Sequence, residues 1–443
     1  MKPKMILIGA MTLSMLPSSL FAQHPWSLRH CIDHALEHSI SVKQQAVTVQ
    51  KQEVQLSTAR NSRLPNLEAS ISENMSFGRG KDEMGTYINR NTTATDFSLS
   101  TSVPLLTGFQ IPNTIKMRRL NLEAATATLE KAKNDIRVQV AQAYTQVLYD
   151  MEISGVAHRQ VAIDSLQVRR VEGLFNNGKA SGAELSQQRS SLAQSRLTAT
   201  QADNRLQLAV LALTQLLELP SPDGFEVQLP SEGVEAEMTA DIPSPDLIYA
   251  EALNFRPEVR ADQQSLLAAD YSIKIARAGY YPKLTFRAGM ATNYNHVSGY
   301  ELDSFGRQLK NNFNQNLALS LSVPIFNRFQ TRNDIRSARH DKELQSLKLE
   351  NTKKSLYKEI QQAYYNTLGA QSKYTSCQVV VTSSADAFRL MQAKYENGKA
   401  TMTEFNEAKN NYLKAESECV QARYECLYQH ALIRFYRGQE LNY

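Results

Sequence analysis

The sequence predicts a mainly α-helical chain that carries a pair of β-hairpins and is built as two copies of one plan. Three observations carry that prediction. The segments Phe175-Asn176-Asn177-Gly178-Lys179-Ala180 and Tyr395-Glu396-Asn397-Gly398-Lys399-Ala400 stand 220 residues apart in a chain of 443. Each lies at the break between two long helical patterns, where Asn-Gly closes a helix because Gly accepts the left-handed conformation. Each half also holds two stretches of about ten residues in which apolar and polar side chains alternate, the mark of half-buried strands. Self-similarity at so long a period governs how every local element is read.

At the N-terminus, Lys2 and Lys4 precede a short apolar run from Met5 to Leu16, and Ser18, Ser19 and Ala22 supply small residues before Gln23. This is the pattern of a secretory signal peptide over 1–22, cleaved after Ala22. The run is shorter than the roughly 20 residues a spanning helix needs, and no later stretch is apolar for long enough. The chain is therefore expected to be exported and to enter a membrane only as β-strands.

The first structural unit is expected over 23–219. Trp26-Ser27-Leu28 opens a helix with Ser27 as N-cap. Leu28, Ile32, Ala35 and Leu36 form its apolar face, while His30, His34 and His38 recur at four-residue spacing on another. Two His at that spacing can share a metal; a solvated, His-rich face is the plainer reading. Helical character runs from Val42 to Arg63 and stops at Pro65. A strand is predicted over 67–77, then a polar loop over 78–95, then a strand over 96–105 with Phe97, Leu99, Val103 and Leu105 opposed by Asp96, Ser98, Ser100 and Ser102. From Asn113 to about Phe175 no Pro intervenes, so one helix of roughly 90 Å is expected. Beyond the tip at 175–183, Leu185, Leu192, Ala199, Leu206 and Leu213 recur every seven residues, which marks coiled-coil packing.

Residues 220–245, with five prolines and Glu232, Glu235 and Glu237, read as an acidic linker. The second unit, 246–443, repeats the first. Pro282 matches Pro65, and Leu319-Ser320-x-Ser322-Val323-Pro324 matches Leu99-Ser100-x-Ser102-Val103-Pro104. Strands are predicted over 283–294 and 316–325, a long helix from Thr331 to Tyr395, a tip at 395–403 and a last helix through Arg437. The repeat also places the cysteines. Cys419 and Cys426 fall on the heptad positions of Ala199 and Leu206, and Cys377 matches Ala157. They read most simply as small buried hydrophobes. The sharper alternative is a Cys377–Cys419 disulfide, each residue 21 positions from Gly398 on opposite arms of a hairpin; an exported chain permits it.

Composition narrows the function. The net charge is only +5, and no basic cluster interleaves with aromatics, so nucleic acid is not an expected partner. No Gly-rich phosphate loop, nucleophile elbow or zinc-spaced set is present, so neither an enzyme nor a cofactor is expected. The constellation is mechanical. Four strands cannot close a membrane barrel, for which about eight is the smallest useful number. Three chains would supply twelve. The Ser-rich faces would turn inward, and Phe97, Leu99, Val103, Leu105, Leu284, Phe286, Leu317, Leu319, Leu321 and Val323 would face outer-membrane lipid. The helices would continue as a periplasmic tunnel. The competing class is a soluble periplasmic coiled-coil adaptor or scaffold whose strands form a small β domain.

Taken together, the Trp26-Ser27-Leu28…Ala35-Leu36 start, the repeated Ser-Val-Pro strand ends, Arg256-Pro257-Glu258 and the two tips resemble the TolC family of outer-membrane efflux proteins over essentially the whole mature chain. The resemblance implies a homotrimer with a twelve-stranded outer-membrane β-barrel, a long α-helical coiled-coil tunnel and an equatorial region. It also implies partners: a periplasmic membrane-fusion adaptor and an inner-membrane pump of RND or ABC type, for drug, metal or small-molecule efflux or type I secretion of polypeptides from a Gram-negative cell. At the tips it implies a constriction at Glu404 and Glu407, a Glu184–Tyr395 latch, and adaptor docking around Asn177, Gly178, Asn397 and Gly398. Where the family has an arginine two residues after the second-tip Gly, this chain has Ala400. The plainer reading of these acids is that they sit at helix starts, where the macrodipole favours them.

Overall fold

The computed structural model describes residues 25–81, 84–230 and 238–442. The signal peptide expected over 1–22 and the linker acids Glu232, Glu235 and Glu237 lie outside the described residues.

Helix α1 (Leu28–His38) starts where Ser27 accepts from the His30 N–H at 3.2 Å, and it buries Leu28, Cys31, Ile32 and Ala35. His34 and His38 stack at 4.0 Å, and Trp26 packs on His30 at 4.4 Å. Among the described residues no group of His, Cys, Asp and Glu could hold a metal ion. Helix α2 (Ile40–Asn61) leads into β1 (Asn66–Ser76). The loop expected over 78–95 contains a small ladder of β2 (Arg79–Lys81) and β3 (Tyr87–Asn89), and β4 (Thr92–Thr107) follows. Helix α3 (Gln110–Asn176) has 67 residues, about 100 Å of rise, and returns through α4 (Gly182–Leu216). The second half supplies α5 (Pro245–Phe255), α6 (Pro257–Arg277), β5 (Lys283–Val297), α7 (Phe305–Asn311), β6 (Asn314–Ser322), α8 (Gln330–Glu396) and α9 (Met402–Tyr436). No described helix is long and apolar enough to cross a membrane.

The four long strands form one antiparallel sheet in the order β1-β4-β5-β6. The helices attached to them pack in the same order, α2 on α3, α3 on α6 and α6 on α8, so the sheet passes into a helical layer without a change of neighbours. Both strand-to-helix turns are made on a phenylalanine with positive φ, Phe109 at 64° and Phe329 at 62°. That conformation is uncommon for a bulky residue, and it occurs at matching points in the two halves.

Three strand assignments change. Strand β6 ends at Ser322, so Val323 and Ile325 lie beyond it; Pro324 has no N–H to give the ladder. A bulge between Pro104 and Leu106 makes Leu105 the extra residue, and Leu106 takes the position across from Leu284. Between the strands predicted over 283–294 and 316–325 the chain extends β5 to Val297 and then forms α7, which covers the edge of β5 that β6 leaves free. There the Gln308 amide accepts from the Asn295 N–H (2.9 Å) and donates to the Asn295 carbonyl (3.0 Å), replacing one rung of the ladder.

The main core lies where α1, α3, α9 and the segment after α4 meet. Tyr144 on α3 donates its hydroxyl toward the carbonyls of Trp26 (2.9 Å) and Gln228 (2.6 Å). Trp26 in turn bridges to Val227, strapping the chain start to the linker. Burial pushes the Cys31 thiol up to about 12 and Cys426 up to about 11, so both are inert packing residues. Cys377 and Cys419 are instead joined as a disulfide between α8 and α9, with Cα atoms 5.1 Å apart. The simple reading of them as free buried hydrophobes is corrected accordingly.

Candidate functional sites at the sheet and the hairpin tips

The register sorts the side chains of the sheet into two surfaces. Leu67, Thr101, Ala288 and Leu317 stand in one row, Ala69, Leu99 and Met290 in the next, and Val103, Phe286 and Leu319 in another on the same face. Phe97, Leu284 and Leu321 belong to this face as well. The opposite face carries Glu68, Ser100, Gly289 and Asn316 in one row and Ser72, Asp96 and Asn293 in another. The structure thus brings together eight of the ten apolar strand residues singled out in the sequence and leaves out Leu105 and Val323. The apolar face is open: Leu317 is 78 % exposed, Ile71 72 % and Leu319 65 %. Contiguous exposed apolar surface of this kind marks an interface with a membrane or a partner.

Exposed aromatic rings frame that face. Phe77, Tyr87 and Tyr300 lie at the end of the sheet away from the helices, Phe305 packs on Phe97 and Tyr294 farther in, and Phe313 lies beside Leu99 and Met290 near mid-sheet; Phe109, Tyr280, Tyr281, Phe326 and Phe329 lie at the helical end. Belts of this kind border the apolar band of membrane strands, because an amphipathic ring sits well at a membrane–water interface. The outer edges of β1 and β6 have no described strand beside them.

At the tips, Gly178 has φ of +71° and Gly398 of +67°. Each hairpin turns in the same way. The Lys179 N–H reaches the Leu174 carbonyl at 2.8 Å, and the Lys399 N–H reaches that of Lys394 at 2.9 Å, the long bond of a Schellman motif. Asn177 and Asn397 donate their side-chain amides to the carbonyls of Gly173 and Ala393, both at 2.7 Å. The helices that leave the tips begin with capping boxes, Ser181 with Glu184 and Thr401 with Glu404. The Thr401 N–H and hydroxyl hold the Glu404 carboxyl below the usual carboxylate range. Its folded value is depressed, so the cap is complete above the ordinary range and is lost as pH falls through the lowered value. Glu404 is charged at neutral pH, and Glu407 lies one turn on along the same exposed side of α9.

Within one chain the capping role engages the acid expected in the latch. Glu184 gives its carboxylate to the Ser181 N–H at 2.8 Å and makes no hydrogen bond to Tyr395. It reaches Tyr395 only as charge, raising a hydroxyl pKa that burial already raises and Arg170 opposes. Arg170 on α3 makes the contact between hairpins. Its guanidinium lies 5.4 Å from the Tyr395 ring centre, donates to the Glu396 carbonyl at 2.9 Å and faces the Glu396 carboxylate at 3.6 Å. Two turns above, Lys409 (1 % exposed) pairs with Asp164 (0 %), which also accepts from Ser195. This buried cluster joins α3, α4 and α9. Nothing in the local sequence marks Arg170 or Asp164, since the charged partner of each, Glu396 and Lys409, lies more than 200 residues away.

Comparison with known proteins bears on both sites. The family model described as "Outer membrane efflux protein" matches residues 31–218 and 248–439. The pyoverdine export outer membrane protein OpmQ of Pseudomonas aeruginosa is 26 % identical over 64 % of this chain; the match spans only 57 % of OpmQ itself. The outer membrane protein TolC of Escherichia coli is 24 % identical over 84 % of this chain and 74 % of its own length. Among solved structures, CusC superposes with a TM-score of 0.77 at 18 % identity over 95 % of both chains. The Campylobacter jejuni CmeC channel gives 0.77 over 94 % of this chain and 87 % of its own. At such identities the structural likeness establishes the fold.

Proposed function

From a chain that belongs to the outer membrane efflux protein family, we propose a homotrimeric channel that carries solutes from the periplasm to the cell exterior. The observation that carries this reading is the two-faced sheet with open edges. One chain contributes four antiparallel strands whose apolar side is exposed and whose other side is lined by Ser and Asn. Pairing the β6 edge of one copy with the β1 edge of the next removes both edges. Three copies bring the strand number to twelve, enough to enclose an aqueous bore. Lipid then covers Leu99, Phe286, Leu317, Leu319 and Leu321, and water meets the serines. A soluble adaptor, the competing class, has no use for an open apolar face framed by two aromatic belts.

The helical layer extends this bore for the roughly 100 Å of α3 and α8, and the tips close its far end. Three copies each of Glu404 and Glu407 around an axis would focus a negative potential there. The tips, with Gly178 and Gly398 at their turns, are the surface for a periplasmic adaptor that links the channel to an inner-membrane pump. Passage requires the helices at the tips to slide, a shear movement opposed by the contacts of Arg170 and Lys409.

Ion selectivity in planar bilayers tests the reading. The native channel should prefer cations, and the double substitution Glu404→Gln with Glu407→Gln should move the cation-to-anion permeability ratio toward unity. Gln can still serve as the third residue of the capping box, so the helix start is kept. A channel with unchanged selectivity would remove these residues from the constriction.

A further inference from the structure

Helix α6 ends in Arg277, and α8 begins with Arg332, Arg336 and Arg339, spaced by four and then three residues along one side of the helix. With Tyr280 and Tyr281 these four arginines line a cleft of about 640 Å3 to which no acidic side chain contributes. Like charges three and four residues apart destabilise a helix, and cations near a helix N-terminus oppose its macrodipole. The start of α8 carries both costs. Among the described residues none of the four guanidinium groups has an ion-pair partner, and Asp334, on the other flank of α8, accepts from Gln330 instead (2.7 Å). The cleft is held in shape from below. A Cβ on Gly279 would fall 2.7 Å from Thr331 Oγ1, which also accepts from the Asn327 amide at 2.6 Å, so the turn that follows α6 is closely seated on the start of α8.

The neighbourhood indicates which way the cleft opens. Arg332 lies 5.9 Å from the centre of the Phe329 ring, and Phe329 packs edge-to-face with Phe326 at 5.4 Å. Both rings are exposed, and Ile325 beside them is 95 % exposed. These exposed side chains follow Leu321 and Val323 closely along the chain, and on the outer-membrane reading the surface they form belongs in lipid. Arg332 shares that surface, so the arginines stand at head-group depth below the aromatic belt. We propose that this cleft binds the phosphate of an anionic phospholipid head group in the leaflet nearest the helices. The bound phosphate offsets both costs at the start of α8 and fixes the depth of the barrel in the membrane. The proposal rests on the outer-membrane reading above.

The test uses the full-length protein in phosphatidylcholine nanodiscs doped with phosphatidylglycerol, with retained lipid counted by native mass spectrometry. The native protein should keep phosphatidylglycerol in preference to phosphatidylcholine. Replacing Arg332, Arg336 and Arg339 together by Gln should weaken that retention on the order of a hundredfold, given what each basic residue contributes near an anionic surface. Arg277→Gln alone, on the other helix, should weaken it on the order of fivefold and serves if the triple variant does not fold. Equal retention of the two lipids, or native-like retention by the variants, would overturn the proposal. So would displacement of phosphatidylglycerol by inorganic phosphate at equal concentration, which would mark a site for free anions. Protein that inserts into the discs without preferring phosphatidylglycerol refutes only the cleft, whereas protein that does not insert refutes the membrane reading and the cleft with it.

Discussion

Lys409→Met is expected to destabilise the packing of the two hairpins by about 3–5 kcal/mol, the usual cost of breaking a buried ion pair from one side. The Lys409 ammonium and the Asp164 carboxylate are both fully buried. Removing the ammonium leaves a carboxylate with only Ser195 beside it, in a medium that solvates charge poorly. Asp164→Asn should do the same in reverse by stranding the ammonium. The double variant, Asp164→Asn with Lys409→Met, buries no charge and should regain much of the loss, because neutral groups of similar volume often replace a buried pair at little cost. The denaturant midpoint of the helical signal reads all three. A double variant as unstable as the sum of the singles would mean that the two residues act independently.

The second large effect concerns the membrane face. Leu319→Arg should cost about 1–3 kcal/mol of stability in the bilayer, the penalty for a cation on the lipid side of a barrel between the midplane and the interface. Ser320→Arg, one residue along the same strand, should cost little, since the register turns it to the other face of the sheet and alternation along a strand is strict. The fraction of protein recovered in outer membranes, followed by urea titration of the inserted form, separates the two. Equal tolerance of both substitutions would contradict the assignment of faces.

Much of this architecture was legible because periodicity is a local property. The alternation of Leu317, Leu319 and Leu321 with Asn316, Ser320 and Ser322 predicts both the strand and its two faces. The missing Pro between Asn113 and Phe175 predicts the long helix. What periodicity cannot show is where a ladder stops or slips. Val323 continues the alternation yet lies outside β6, because Pro324 has no donor to give. Leu105 fits the pattern and is displaced by a bulge. The role of Gln308 depends on a length of β5 edge that β6 fails to cover, which no single stretch of sequence records.

The tips show a different limit. The turn chemistry of Asn177-Gly178 and Asn397-Gly398 was plain, and so was the acid at each helix start. The resemblance implies a Glu184–Tyr395 latch, and within one chain the Glu184 carboxylate accepts from the Ser181 N–H of its capping box. The contact between hairpins within one chain is made by Arg170, which reaches Glu396 across 226 residues of sequence. Lys409 and Asp164, 245 residues apart, are equally invisible to local reading. The symmetric placement of Cys377 and Cys419 about Gly398 makes their bond an alternative to two free thiols. Composition alone favoured free thiols, since small buried Cys are common. The pairing follows from geometry, not from residue type.

The central claim is that three copies close one membrane barrel along their β1 and β6 edges, and the mass of the detergent-extracted, unheated protein tests it most directly. An assembly of three chains, which dissociates to single chains on heating and conducts ions when added to a planar bilayer, is the expected result. A single chain that stays in solution without detergent and opens no conductance would contradict the account.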